Sequence, residues 1–346
     1  MLRLDGRRAI IDHKIEVGGR ESGALIQSLL SAIEEAYGID ARGSRLLGGY
    51  YNHVFETSDG AMVIKCCRFD REDPSFVEAE LAWMKKAMEA GLLVPDPVPA
   101  KDGGLTARLD GECFAVVTKK LNGASIHPRD PEQWNERLFR QWGEAMGTLR
   151  RAARHYTAAW TPPFLDWTDD RLVREAIAPA GTLAPAGSGR LDGDAPVWDL
   201  WLECVQEAQR FPKDTERYGL IHHDLHPGNL LRVGDRLAVL DFGDSMRHWY
   251  AYDIAIAAQA ASMSVWNREE RPAFVSRFLD AFGAGYAEAD KLPAEEWGRI
   301  PFFLRYRTIY SYLYHRTSKR PEEWSDQEQA ILAHMREDIL SGAAYV

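Results

Sequence analysis

GLIHHDLHPGNLLRVGDRLAVLDFGDSMRHWYAYDIA, residues 219–255, decides how the rest of the chain is read. It gathers carboxylates, an amide and several histidines around the short apolar run Ala238–Leu240. Asp224 and Asn229 lie five residues apart, and Asp241 follows Asn229 by twelve, at the end of a run that reads as a strand. That set suits phosphoryl transfer from Mg-ATP. One carboxylate orients or deprotonates an attacking hydroxyl, while the amide and the second carboxylate hold a divalent cation on the phosphates. Such a site requires more from the chain: a phosphate cradle, a lysine and a surface for the base.

Upstream, SRLLGGYYNHVFET (44–57) and AMVIKCCRF (61–69) read as two strands joined by a turn at Ser58-Asp59-Gly60. Backbone N–H groups around Gly48-Gly49 can cradle phosphates, and Lys65 on the next strand can reach them. A glycine pair alone is a hairpin turn, and a lysine alone is a solvated strand residue. It is their order that makes the argument. A helix over 74–90 starts at Pro74 or Ser75 and ends at Gly91, with Glu78 and Glu80 in its first half. A glutamate there can hold Lys65 toward the phosphates, although acids near a helix N-terminus are favoured anyway. The strand CFAVVTKKL (113–121) breaks at Asn122-Gly123, a natural hinge. Backbone groups from Val117 to Lys120, Val117 and Lys119 in particular, are placed to hydrogen-bond an adenine edge.

The remaining segments read mostly as helices: 24–36 ending at Gly38, 131–160, 197–211, 255–265, 274–286 and 301–316. Trp134, Leu138, Phe139, Trp142, Met146 and Leu149 form a core-facing stripe. Residues 179–196 read as an Ala-, Pro- and Gly-rich loop. The aromatic helix at 301–316 carries Arg305, Arg307 and Arg316. It is either a core helix with arginines reaching outward or a wall of an acceptor pocket.

Composition bounds these readings. The chain has 346 residues, 45% hydrophobic and 27% charged, which predicts a globular protein of two domains or one bilobal unit. A net charge of −10 argues against nucleic acid as a partner. The cysteines Cys66, Cys67, Cys113 and Cys204 lack metal-ligand spacing and read as reduced thiols. The N-terminal segment has no continuous apolar core, and no stretch approaches a membrane span. A cytoplasmic location without membrane attachment is therefore expected. No G-x-S-x-G motif signals a covalent nucleophile. Oligomeric state is left open.

With these parts in order, the chain resembles the aminoglycoside phosphotransferase (APH) and choline kinase-like family of small-molecule kinases. The family pattern H-G-D-x-x-x-x-N, then D-F-G or D-x-D, then D-[LI]-A reads here as His222-His223-Asp224 with Asn229, Asp241-Phe242-Gly243-Asp244, and Asp253-Ile254-Ala255. The resemblance extends over about residues 44–260 and takes in Gly48, Gly49, Asn52, Lys65, Glu80 and Leu121-Asn122-Gly123. It implies an α+β, bilobal, protein-kinase-like fold: a small antiparallel-sheet N-lobe over 1–121 and a larger, mainly helical C-lobe over 122–346. It implies Asp224 as catalytic base, Asn229 and Asp241 as magnesium ligands, Lys65 on the ATP phosphates with Glu80 as its partner, and Asp253 as a brace for the catalytic loop. Where the family has glycine, this chain has His223. His223, Asp244, Arg305 and Arg307 are the candidate acceptor-pocket residues.

The expected function is ATP- and Mg-dependent phosphorylation of a small-molecule hydroxyl on an amino sugar or antibiotic, an amino alcohol or a hydroxy amino acid. Acidic residues near the site suit a cationic acceptor, while Arg305 and Arg307 suit one bearing a carboxylate. The alternatives are a protein Ser/Thr kinase and a nucleotide-binding pseudokinase. Only twelve residues separate Asp241 from Asp253, which leaves no room for a peptide-docking activation segment. The joint presence of Lys65, Asp224, Asn229 and Asp241 disfavours a pseudokinase.

Overall fold

A computed structural model describes residues 21–48, 52–178, 194–318 and 323–342. The expected N-terminal segment, Gly49, most of the loop at 179–196 and the last four residues lie outside these ranges. The described chain divides into two compact units. Residues up to Ala124 form the first together with Val233–Gly243; Ser125–Arg232 and the residues from Asp244 onward form the second. The boundary thus lies close to the expected hinge, but Asp241 belongs to the first unit.

The first unit is built on α1 (Glu21–Tyr37) and an antiparallel sheet. Its strands are β1 (Arg45–Gly48), β2 (His53–Glu56), β3 (Met62–Arg68), β4 (Pro97–Val98), β5 (Thr106–Arg108) and β6 (Cys113–Lys119). The order is β1-β2-β3-β6-β4, with β5 also on β6. The β2–β3 turn falls where Ser58-Asp59-Gly60 predicts: Asp59 Oδ1 accepts from Thr57 Oγ1 at 2.6 Å and from the Ala61 N–H at 3.0 Å, and Gly60 takes φ 70°. In β3, Lys65 lies opposite Val54 on one side and Val116 on the other, so its backbone is fixed by both neighbours. Phe55, Ile64, Cys66, Ala115 and Val117 pack against Leu30, Ile33 and Tyr37 of α1, an apolar core that holds β3 rigid. Helix α2 (Pro74–Glu89) starts where expected, its first turn capped by Asp73, which accepts from the Ser75 N–H. All four cysteines are free thiols.

In the second unit the first helix after the short strand β7 (Ala124–Ser125) is α3 (Glu136–Arg154). Next come α4 (Arg171–Ile177), α5 (Ala195–Ala208), β8 (Tyr218–Ile221) and β9 (Leu230–Val233); β10 (Arg236–Val239) lies in the first unit. Then follow β11 (Met246–Trp249), α6 (Tyr250–Ser262), α7 (Arg271–Ala289), α8 (Ala294–Trp297), α9 (Ile300–Ser318) and α10 (Asp326–Ser341). Helices α3 and α7 touch backbone to backbone. A Cβ on Gly143 would lie 1.9 Å from the Phe282 carbonyl oxygen, and one on Gly285 would lie 1.8 Å from that of Arg140. Helix α6 is buried over almost its whole length and packs on α9. Strand β8 pairs antiparallel with β11, Ile221 opposite Met246 and Tyr218 opposite Trp249. This pairing joins the strand before Asp224 to the one that leads into α6 and Asp253. Among the described residues no helix is long and apolar enough to cross a membrane.

Candidate active site

The catalytic-loop half lies in the second unit. After β8 the chain turns sharply at His222 and His223, whose N–H groups both donate to Asp253, at 3.1 and 2.9 Å. Asp253 is buried in the first turn of α6. Burial pushes its carboxyl up, against the opposing pull of His222 and the two backbone donors. The expected bracing role is thus visible as two hydrogen bonds. The turn puts His223 at φ 69°, a left-handed conformation that glycine adopts freely and other residues at a cost. This is the physical content of the family glycine at that position.

The turn presents Asp224, half-buried. Asn229 Nδ2 donates to the Asp224 carbonyl at 2.9 Å and lies 3.4 Å from its Oδ2. With its nitrogen so engaged, Asn229 offers Oδ1, the donor type a hard divalent cation takes. His226 Nδ1 accepts the Gly228 N–H at 2.9 Å, so a neutral His226 carries its proton on Nε2, which lies 3.6 Å from Asp224 Oδ2. A Cβ on Gly228 would meet His226 Cε1 at 2.6 Å, so this close fit needs glycine.

Lys65 and the carboxylates around it lie in the first unit. Lys65 Nζ pairs with Glu72 Oε2 at 3.3 Å, and Glu72 Oε1 accepts from Asn52 Nδ2 at 2.7 Å. Burial works to lower the Lys65 ammonium, but Glu80, Glu72 and Asp241 outweigh it and hold it above the usual lysine range. Glu80, the expected partner, is the strongest of three carboxylates that favour the Lys65 charge, and Glu72 stands beside it in ion-pair contact. Sequence reading missed Glu72 because it sits in a turn just ahead of α2, where no periodicity marks it. Asp241 follows β10 with φ 59°; it and His223 are the only non-glycine residues with positive φ among those described. Its Oδ1 and Glu80 Oε2 lie 3.5 and 3.6 Å from where a Cβ on Gly243 would stand. The first unit keeps Asp241 because β10 is tied to it: Ala238 bridges Leu93, Arg236 Nη2 donates to the Gly91 carbonyl at 2.7 Å, and Phe242 lies edge-on to Trp83.

Of the expected phosphate loop, Gly48 has φ 131°, Asn52 reaches Glu72, and Gly49 lies outside the described residues. Val117 is buried between β3 and β4. The Lys119 N–H donates to Asp96 O at 2.8 Å and that of Lys120 to Ala61 O at 2.8 Å, so both donors are already engaged.

The acceptor-pocket residues separate. His223 lies 5.7 Å, ring to ring, from Tyr252 and 6.3 Å from His248, which stacks on Tyr252 at 4.0 Å. Arg307 Nη1 reaches Tyr252 Oη at 3.4 Å and its guanidinium lies 5.6 Å from the Tyr310 ring centre. Arg305 is exposed and stands 3.9 Å from Glu203 on α5. Two residues along a helix turn a side chain through about 200°, so Arg305 and Arg307 face different surroundings. Asp244 is half-buried, two residues before β11. Tyr252, His248 and Tyr310 were not singled out by the sequence, where they read as core aromatics.

A kinase-like fold, a braced Asp-x4-Asn loop and a lysine among carboxylates define a phosphotransferase acting on the hydroxyl of a small molecule. Residues 42–292 match the model of the phosphotransferase enzyme family (APH), and the chain belongs to that family. It is 25% identical over 324 residues to an amicoumacin kinase of Bacillus subtilis, covering 91% of this chain and 92% of that one. It is 29% identical over 258 residues to a homoserine kinase of Allorhizobium ampelinum, covering 73% of each. Among solved structures, an amicoumacin kinase in complex with AMP-PNP, Ca2+ and Ami superposes with a TM-score of 0.78 at 22% identity, over 92% of this chain and 94% of the other. The expected fold and family are those found.

Proposed function

We propose that this protein transfers the γ-phosphoryl group of ATP to a hydroxyl of an amino sugar, an amino alcohol or a hydroxy amino acid. The observation that carries the reading is Asp224, its carboxylate flanked by Asn229 and His226 on a loop braced by Asp253. Asp224 takes the proton of the acceptor hydroxyl as the new P–O bond forms and the bond to the ADP oxygen breaks. Lys65, set by Glu72 and Glu80, binds the phosphates. Gly48 and Gly49 serve the phosphates, and β6 around Val117 and Lys119 meets the adenine without the Lys119 N–H, which Asp96 already takes. Asn229 Oδ1 and the Asp241 carboxylate each offer the hard oxygen donor that magnesium takes, and magnesium when bound would neutralise phosphate charge. Two relatives, named for amicoumacin and for homoserine, support a small hydroxylated acceptor. The four free thiols suit the reducing cytoplasm.

The test incubates the protein and Mg-ATP with a panel of hydroxylated metabolites and antibiotics, read by the mass gained by the acceptor. Transfer to one class is expected, with Asp224→Asn slower by about 10²–10⁴-fold. Phosphorylation of a polypeptide in place of any panel member, or near-normal transfer by Asp224→Asn, overturns the reading.

A further inference from the structure

Most of the guanidinium groups drawn into the second unit are neutralised there. Arg150 meets Glu216 and Asp290, Arg247 meets Asp166, and Arg316 meets Asp194. Arg307 breaks this habit. Among the described residues it has no carboxylate within ion-pair distance, and its one hydrogen bond is the long contact from Nη1 to Tyr252 Oη, 3.4 Å. Its Nε is closed off from solvent and has no acceptor. The carboxylate beside Tyr310, Asp170, is committed elsewhere: Oδ2 accepts from Tyr310 Oη at 2.9 Å, and Oδ1 caps α4 through the Leu172 and Val173 N–H groups. A half-buried cation short of acceptors is costly unless a further group completes it. The field of Asp224 reaches Arg307: burial works against its charge, while Tyr252 and Asp224 favour it. The cation therefore lies on the same side of the unit as the catalytic carboxylate, walled by Tyr252, Tyr310 and, beyond Tyr252, His223.

We propose that Arg307 anchors the acceptor by taking a carboxylate borne by the molecule whose hydroxyl is phosphorylated at Asp224. This rests on the small-molecule kinase reading and narrows it to hydroxy acids, hydroxy amino acids among them. A guanidinium left with several unmatched N–H groups is suited to the two oxygens of a carboxylate, and flanking phenols give the bound chain an apolar wall. Arg305, exposed beside Glu203, has no such part.

The test uses matched acceptors: L-homoserine against 3-aminopropan-1-ol, and each hydroxy acid of the panel against its carboxamide. The full-length protein should prefer the acid by about 100-fold or more in kcat/KM, expressed mainly in KM. Arg307→Met should reduce that preference to a few-fold by weakening the acid far more than the amide, with Arg307→Lys in between. Its Tm should equal or exceed the parent's, because an unneutralised charge has been removed. Equal use of acid and amide by the parent, a preference that survives in Arg307→Met, or a Tm lower by more than about 5 °C with unchanged KM overturns the proposal. Transfer to uncharged or cationic acceptors that requires Asp224 but ignores Arg307 overturns this inference alone. If nothing in the panel is phosphorylated, the activity reading fails, and Arg307 is then judged by binding. A rise in Tm with 10 mM L-homoserine that Arg307→Met abolishes upholds the anchor, and no rise overturns it.

Discussion

His223 and Asp241 show what single residues contribute. Both occupy left-handed backbone, which costs an L side chain about 1–2 kcal/mol. The Asp253 hydrogen bonds force that conformation on His223, so the cost depends on the shape of the side chain at Cβ. His223→Val should be about 1–2 kcal/mol less stable than His223→Gly in denaturant melts, because a β-branched residue tolerates this region worst. Asp224, Asn229, Asp241 and Lys65 stand out in the sequence because phosphoryl transfer needs those groups at nearly fixed spacing. Glu72 does not, since ion pairing across a turn leaves no periodic trace. His248 does not either: a histidine beside Trp249 gives no sign that it is buried under Tyr252. Its environment has a pH consequence. Burial, with the nearby charges of His223, Lys213 and Arg307, holds its pKa well below the ordinary value of 6.5. A depressed folded-state pKa contributes stability that is present above 6.5 and lost as the pH falls below it, because only the unfolded chain protonates there. Stability should therefore decline from pH 6.5 downward, by at most about 1.4 kcal/mol per pH unit from this group, and His248→Phe should flatten that slope in Tm measured against pH.

At the scale of elements, the long helices and the central strands followed from apolar spacing and end signals. Asp73-Pro74 and Gly91 bracket α2 as expected. The four-residue strands β8 and β11 were harder, because they pair across a separation of more than twenty residues and neither alternates clearly. The seam between α3 and α7 was also hidden. Gly143, Gly147 and Gly285 are where two backbones meet, and each missing Cβ lets the helices close. Gly143→Ala would put a methyl 1.9 Å from the Phe282 carbonyl, which rigid backbone cannot accommodate by a side-chain rotation. The expected outcome is a loss of about 3 kcal/mol, measured by urea unfolding. An alanine on the solvent face, as in Ser276→Ala, should be near neutral.

For the whole molecule, length and composition predict two domains or one bilobal unit with a hinge at Asn122-Gly123, and the compact units part after Ala124. What composition and motif could not show is that the chain returns. Val233–Gly243 belongs to the first unit, carrying β10 and Asp241 back to a unit whose chain had otherwise ended at Ala124. The signal was present in the apolar run Ala238–Leu240, but its partners, Gly91 and Leu93, lie about 145 residues earlier and only the folded chain reveals them. The return also sets an order of events on the ribosome. The first unit lacks β10 and Asp241 until residue 243 has emerged, more than a hundred residues after Ala124. At roughly 5–20 residues per second, the first unit waits on the order of ten seconds for a segment that is synthesised in the midst of the other unit.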